Sequence, residues 1–196
     1  MMGTSHMLIG AAAGLGAAYL LQAPAPLELM AVATFTALLP DIDHPQGTLR
    51  RKIPLVDDLL LFWLPHRGIT HTVLAVALVA VICNLLHTAG LLSVDLCVAA
   101  VFGYISHLVA DLMTVSGLKV WWPLSDETYH LWPGLRTGGI TESLVCLVVF
   151  VGIGWLLIQM NVIDVAQLQA RAATLYNQFD PQQLGGVLSQ LERWIP

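Results

Sequence analysis

The chain has 196 residues, 57% of them hydrophobic and 11% charged, with a formal net charge of −5. A soluble domain is nearer to about 45–50% apolar and about 25% charged, and one of this size keeps too much surface to hide the excess. The composition therefore excludes an ordinary water-soluble fold, and the acidic balance argues against a nucleic-acid scaffold, which needs a basic face.

The first apolar segment spans residues 5–21. Ala23-Pro24-Ala25 behind it resembles a cleavage region, but no Lys or Arg precedes the segment. The basic start of a secretory signal is missing, so a retained membrane helix is expected. Further apolar segments cover residues 27–39, 72–92, 96–113 and 143–160. The last three approach the roughly 20 residues that a helix needs to cross the hydrocarbon layer. The second is short, so it is expected to tilt, to pack against its neighbours, or to extend back through Pro24 and Pro26. Cys83, Cys97 and Cys146 lie inside apolar runs without a C-x-x-C pair, as buried small hydrophobes do.

Two linkers, 40–71 and 114–142, are long and polar and hold Arg50, Arg51, Lys52, Arg67, Lys119 and Arg136. Lys and Arg accumulate in cytoplasmic loops, which places these linkers and the N-terminus in the cytoplasm. Beyond residue 160 the pattern changes. Val165, Leu168, Ala172, Leu175 and Phe179 recur at helical spacing, and Asp180-Pro181 reads as an N-cap with proline at the first helical position. Leu184, Val187, Leu188, Leu191 and Ile195 form a second stripe. The expected architecture is all-α: a polytopic bundle of about five apolar helices over residues 1–160, then two amphipathic helices over 161–196.

The ionisable residues are not scattered. His6 opens the first segment; Asp41, Asp43 and His44 follow the second; His66 and His71 precede the third; His107 and Asp111 lie near the end of the fourth; Glu142 opens the fifth. In an up-and-down bundle all five places fall at one membrane face. His107 and Asp111 are four apart and share a helix face. Asp41 and Asp43 would point the same way on an extended segment, and Gly68 frees the chain to turn before the third helix. Imidazole nitrogen with carboxylate oxygen suits zinc, with manganese or iron as alternatives. Ionisable groups near hydrocarbon are costly, which favours function over accident. Glu142 has a second reading, as a helix-start residue that complements the dipole. His87, at the opposite end, and His130, in a loop, read as ordinary polar residues.

Pro40-Asp41-Ile42-Asp43-His44-Pro45, then His66-Arg67-Gly68-Ile69-Thr70-His71, then Gly103-Tyr104-Ile105-Ser106-His107-Leu108 with Asp111, Gly117 and Trp122-Pro123, resemble the YdjM-like family of membrane-bound, metal-dependent hydrolases. The resemblance covers residues 3–160. It implies a distant similarity to zinc-dependent phospholipase C and related nucleases, whose zinc elements look like His107-x-x-x-Asp111. Those enzymes are soluble, whereas this chain is embedded. Thr72 stands where serine is common in the family, and either hydroxyl would cap the third helix.

The expected function is hydrolysis of a phosphoester in a lipid or other amphipathic substrate at the cytoplasmic face of the inner membrane. Two or more divalent ions would be held by His66, His71, His107, Asp111, Asp41 and Asp43, with His44 as a further ligand and His6 and Glu142 as further ligands or as residues supporting the ligands from behind. Asp41 or Glu142 would act as general base and Arg67 would meet developing negative charge. The rivals are a metal-ion or proton transporter, which needs polar groups near the bilayer midplane, and a non-catalytic site in which metal only ties loops to the bundle.

Overall fold

A computed structural model describes residues 1–43, 68–132 and 134–178, excluding the side chains of residues 42–43 and 176–178. Among the described residues there are six α-helices and no strand: α1 (Gly3–Leu21), α2 (Pro26–Thr36), α3 (Val73–Thr88), α4 (Val94–Leu112), α5 (Ile140–Gln159) and α6 (Val165–Gln178). Short 3-10 turns at Pro40–Asp43 and Ile69–His71 lead away from α2 and into α3. The chain divides into two compact units, Met1–Leu156 and Leu157–Pro196.

Local chemistry sets the helix ends. Pro26 sits at the start of α2, where its missing N–H costs nothing, so α2 does not extend back through Pro24. Pro40 cannot donate to a helical carbonyl, which stops α2 from reaching it. Gly90 turns at φ +74 just beyond α3, ending it short of the expected residue 92. Thr72 caps α3 as its hydroxyl predicts, accepting from the Ala75 N–H at 3.3 Å. Ser93 does the same for α4 through the Leu96 N–H.

α1, α4 and α5 are long and apolar enough to cross a membrane. α2 and α3 have 11 and 16 residues, about 17 and 24 Å of helix against a hydrocarbon core of about 30 Å. By length, then, three of the five expected crossings qualify among the described helices.

α1, α2 and α4 form the packed heart of the first unit, and α3 leans on α4. The contact is made by small residues. A Cβ on Gly14 would collide with the Leu29 carbonyl oxygen, and one on Gly103 with the Ala33 carbonyl oxygen. Ala17, Ala18, Ala33 and Ala99 are buried around them. Where lipid replaces water, such close backbone approach supplies the dispersion energy that holds helices together. Gly10-Ala11-Ala12-Ala13-Gly14 thus carries a packing signal that hydropathy alone overlooks.

α5 is different. Leu144, Leu147, Val148, Phe150, Val151 and Trp155 are exposed, and Glu142 is its one buried residue. An apolar helix bare on most sides belongs in lipid. The segment joining α4 to α5 folds back across the bundle end. The Leu118 N–H donates to the Tyr129 carbonyl at 3.1 Å, and the Val73 N–H donates to the Val120 carbonyl at 2.9 Å. In the second unit, α6 is capped by Asp164, which accepts from the Gln167 N–H at 3.0 Å. The second expected tail helix lies outside the described residues.

Candidate metal centre

The helices alternate in direction, so the start of α1, the end of α2, the start of α3, the end of α4 and the start of α5 meet at one end of the first unit. His107 arrives from the last turns of α4 and is fully buried. Its Nδ1–H donates to the Ala37 carbonyl at 2.7 Å. A carbonyl only accepts, so the proton is on Nδ1 and the Nε2 lone pair is the one that faces the site. His71 ends the turn before α3. Its Nδ1 lies 3.0 Å from Thr70 Oγ1, and Tyr104 donates to the Thr70 carbonyl at 2.6 Å. These partners aim the His71 Nε2 at that of His107, 3.3 Å away.

Two carboxylates close the group. Asp111, one turn beyond His107 on the same face, places Oδ2 3.7 Å from His107 Nε2 and 3.9 Å from His71 Nε2. Asp41, from the Pro40 turn, places Oδ1 3.8 and 3.7 Å from the same two nitrogens. The turn is 3-10 rather than the extended segment expected for Asp41 and Asp43, because proline at its head presets a helical φ. Burial raises the Asp41 carboxyl, but the neighbouring imidazoles of His71, His107 and His6 outweigh this and hold it below the usual carboxylate value.

His6 stands beside this group. Its ring stacks on His107 at a centroid distance of 3.7 Å, and its Nε2 lies 3.2 Å from Asp111 Oδ1. The Met1 amino nitrogen is 2.7 Å from the same oxygen. His6 is 1% exposed, and its Nδ1 has no hydrogen-bond partner among the described residues.

Four electron-rich atoms thus face one another in a nearly dry pocket. Five of their separations run from 3.3 to 3.9 Å. Zinc ligands at about 2.0–2.2 Å stand about 3.3–3.6 Å apart at tetrahedral corners. One separation falls in that range and the other four exceed it by about 0.1–0.3 Å, so the mixed nitrogen and oxygen donors stand close to the spacing of a divalent-cation site, and His6 adds a further imidazole beside them. His6, Asp41 and His107 form one candidate metal-holding group, and His71, His107 and Asp111 form another.

Comparison with known proteins places the chain in a family. The profile of the YdjM inner membrane protein family matches residues 1–179. The chain belongs to that family. The match runs beyond residue 160 into α6, further than the motifs alone. The inner membrane protein YdjM of Escherichia coli (strain K12) is 34% identical over 127 residues, 63% of this chain and 64% of the relative, and the Shigella flexneri protein of the same name matches equally. The chain thus spans under two thirds of the length of these relatives. An uncharacterized protein of Bacillus subtilis (strain 168), YvsG, is 31% identical over 145 residues, 74% of this chain and 87% of the relative. No solved structure matches.

Of the residues singled out from the sequence, the fold brings together His6, Asp41, His71, His107 and Asp111. Glu142 is buried nearby, but its carboxylate is engaged elsewhere: Oε1 accepts from the Met2 N–H at 2.8 Å and from the Ser5 hydroxyl, and Oε2 accepts from the Gly138 N–H at 2.7 Å. The Asp43 side chain, His44, His66 and Arg67 lie outside the described residues. Exposed His87 donates from Nδ1 to the Leu92 carbonyl in its own α3–α4 turn, and His130 approaches the Thr114 carbonyl; neither joins the centre. Sequence reasoning missed Ala37, Thr70 and Tyr104, which orient His107 and His71, and Ser5, which holds Glu142. Tyr104 sits within a recognised motif, but a backbone carbonyl such as that of Ala37 leaves no signal in residue type.

Proposed function

We propose that this inner-membrane protein is a metal-dependent hydrolase of phosphoesters carried by lipids or other amphipathic molecules. The observation that carries the reading is the meeting of His71 Nε2, His107 Nε2 and the Asp41 and Asp111 carboxylates within 3.9 Å, on segments that are remote in sequence. His71, His107 and Asp111 would hold one divalent ion, zinc first by ligand chemistry, with a coordination position left for water and Asp41 beside it. Nδ1 of His107 is already committed to Ala37, so His107 offers one nitrogen only. A second ion would draw on His6 together with Asp43, His44 or His66.

Such an ion supplies Lewis acidity and makes water acidic near neutral pH. The chain's part is to hold the donors in register, to exclude bulk water, and to manage protons. Asp41 is the least enclosed of the carboxylates, its side chain 20% exposed against 3% for Asp111, and is the better placed to take a proton from an incoming nucleophile. Arg67 would meet the anionic substrate. A centre at the end of membrane-crossing helices lets a headgroup enter while its tails stay in the bilayer. The clustering of basic residues in the two long linkers supports a cytoplasmic orientation for that end. Transport has less support: no Asp, Glu, His, Lys or Arg occupies the middle of any described apolar helix, where an ion path would run.

The test is elemental analysis of the purified protein, followed by a screen of lipid and soluble phosphoesters with and without chelator. Stoichiometric zinc, manganese or iron and chelator-sensitive cleavage are expected. A protein that binds no divalent ion would overturn the proposal.

A further inference from the structure

Glu142 is a buried carboxylate that stands outside the proposed ligand set. It is 1% exposed, on a helix that buries nothing else. A carboxylate in such a place is retained only if its lone pairs are satisfied. Here they are met from two directions. Gly138, just ahead of α5, donates to Oε2. Met2 and Ser5, in the first turn of α1, donate to Oε1. Met2 is the N-cap of α1 and offers no side-chain cap of its own, so the carboxylate from α5 does the capping for a helix other than its own. The residue after Ser5 is His6, stacked on His107 and 3.2 Å from Asp111.

We infer that Glu142 is a positioning residue: it fixes the first turn of α1 to the start of α5 and so seats the His6 ring against His107 and Asp111. This rests on the metal-centre reading above. Loss of the link releases His6 and, with it, the orientation of Asp111. Removing partners that orient metal ligands costs about 10–100-fold in metal affinity, and the effect here is expected at the lower end because Glu142 acts through one neighbour.

The experiment uses the full chain in detergent, loaded with Co²⁺, with affinity and the visible absorption spectrum as readouts. Glu142→Gln keeps the side-chain shape and one acceptor; Ser5→Ala removes one donor and leaves Glu142 intact. Each is expected to weaken Co²⁺ binding about 10-fold and to alter the spectrum, while in a His6→Ala background Glu142→Gln should add nothing further. If Glu142→Gln lowers only thermal stability and the folded protein keeps its Co²⁺ spectrum and affinity, the positioning role is overturned. It is overturned too if Glu142→Gln costs as much as His107→Ala, which would make Glu142 a ligand. Should Glu142→Gln fail to fold, Ser5→Ala decides alone. If His107→Ala and His6→Ala themselves bind Co²⁺ like the parent, it is the metal reading that has failed.

Discussion

The two ends of the first unit are built from similar helix termini yet treat polar residues in opposite ways. At one end His6, His71, His107, Asp111 and Glu142 are each 2% exposed or less. At the other, Glu28 and His87 are exposed, and a groove of about 310 Å³ between α3 and α4 is lined by Ala80, Cys83, Cys97, Phe102 and their neighbours. Helix ends do not demand buried ionisable groups, as the far end demonstrates. Enclosing five at the near end carries a desolvation cost that a cation among them would offset. Residue type is therefore a weaker guide than enclosure: a histidine at the far end lies exposed at the end of α3, while one at the near end faces another across 3.3 Å.

The sharpest way to break this contrast is His107→Ala, which removes the most enclosed donor. Bound metal should fall at least 100-fold, beyond the loss typical for an orienting partner, as read by elemental analysis; His71→Ala should behave alike. Next is the axis that defines the two ends. Val148→Arg, in the bare middle of α5, should cost about 2.5–3.5 kcal/mol of insertion and lower the membrane-integrated fraction in a fractionation assay. Thr72→Ala should then remove about 1 kcal/mol of helix capping next to His71, seen as a lower melting temperature, whereas Thr72→Ser should retain it. Smallest is His87→Ala at the far end. Metal content should be unchanged and stability should stay within about 0.5 kcal/mol. A His87→Ala protein that lost metal would erase the distinction between the ends.

Much of this was legible in the chain. Apolar runs alternating with polar linkers already implied that remote ionisable residues return to one face, and the four-residue spacing of His107 and Asp111 placed them together. Helix extents were less legible: Gly90 and Pro40 trimmed α3 and α2 because hydropathy continues past the residues that end a helix. The dense α1–α2–α4 contact was hidden because glycine and alanine register weakly on apolarity yet permit the closest approach. For Glu142, sequence position fitted a metal ligand, a residue supporting the ligands from behind and a helix-start residue alike. Only the place of Ser5 and Met2 across the α1–α5 contact distinguishes among them.

The bond from His107 to Ala37 has a bearing on how the protein can vary. Its acceptor is main chain, which every amino acid carries, so no replacement at position 37 deletes it by changing chemistry. Only bulk can disturb it, since Ala37 is fully enclosed with its methyl group facing Gly10. The protonation pattern of the central imidazole is thereby insured against side-chain drift, and a threat to it would arise as a steric fault in the α1–α2 seam.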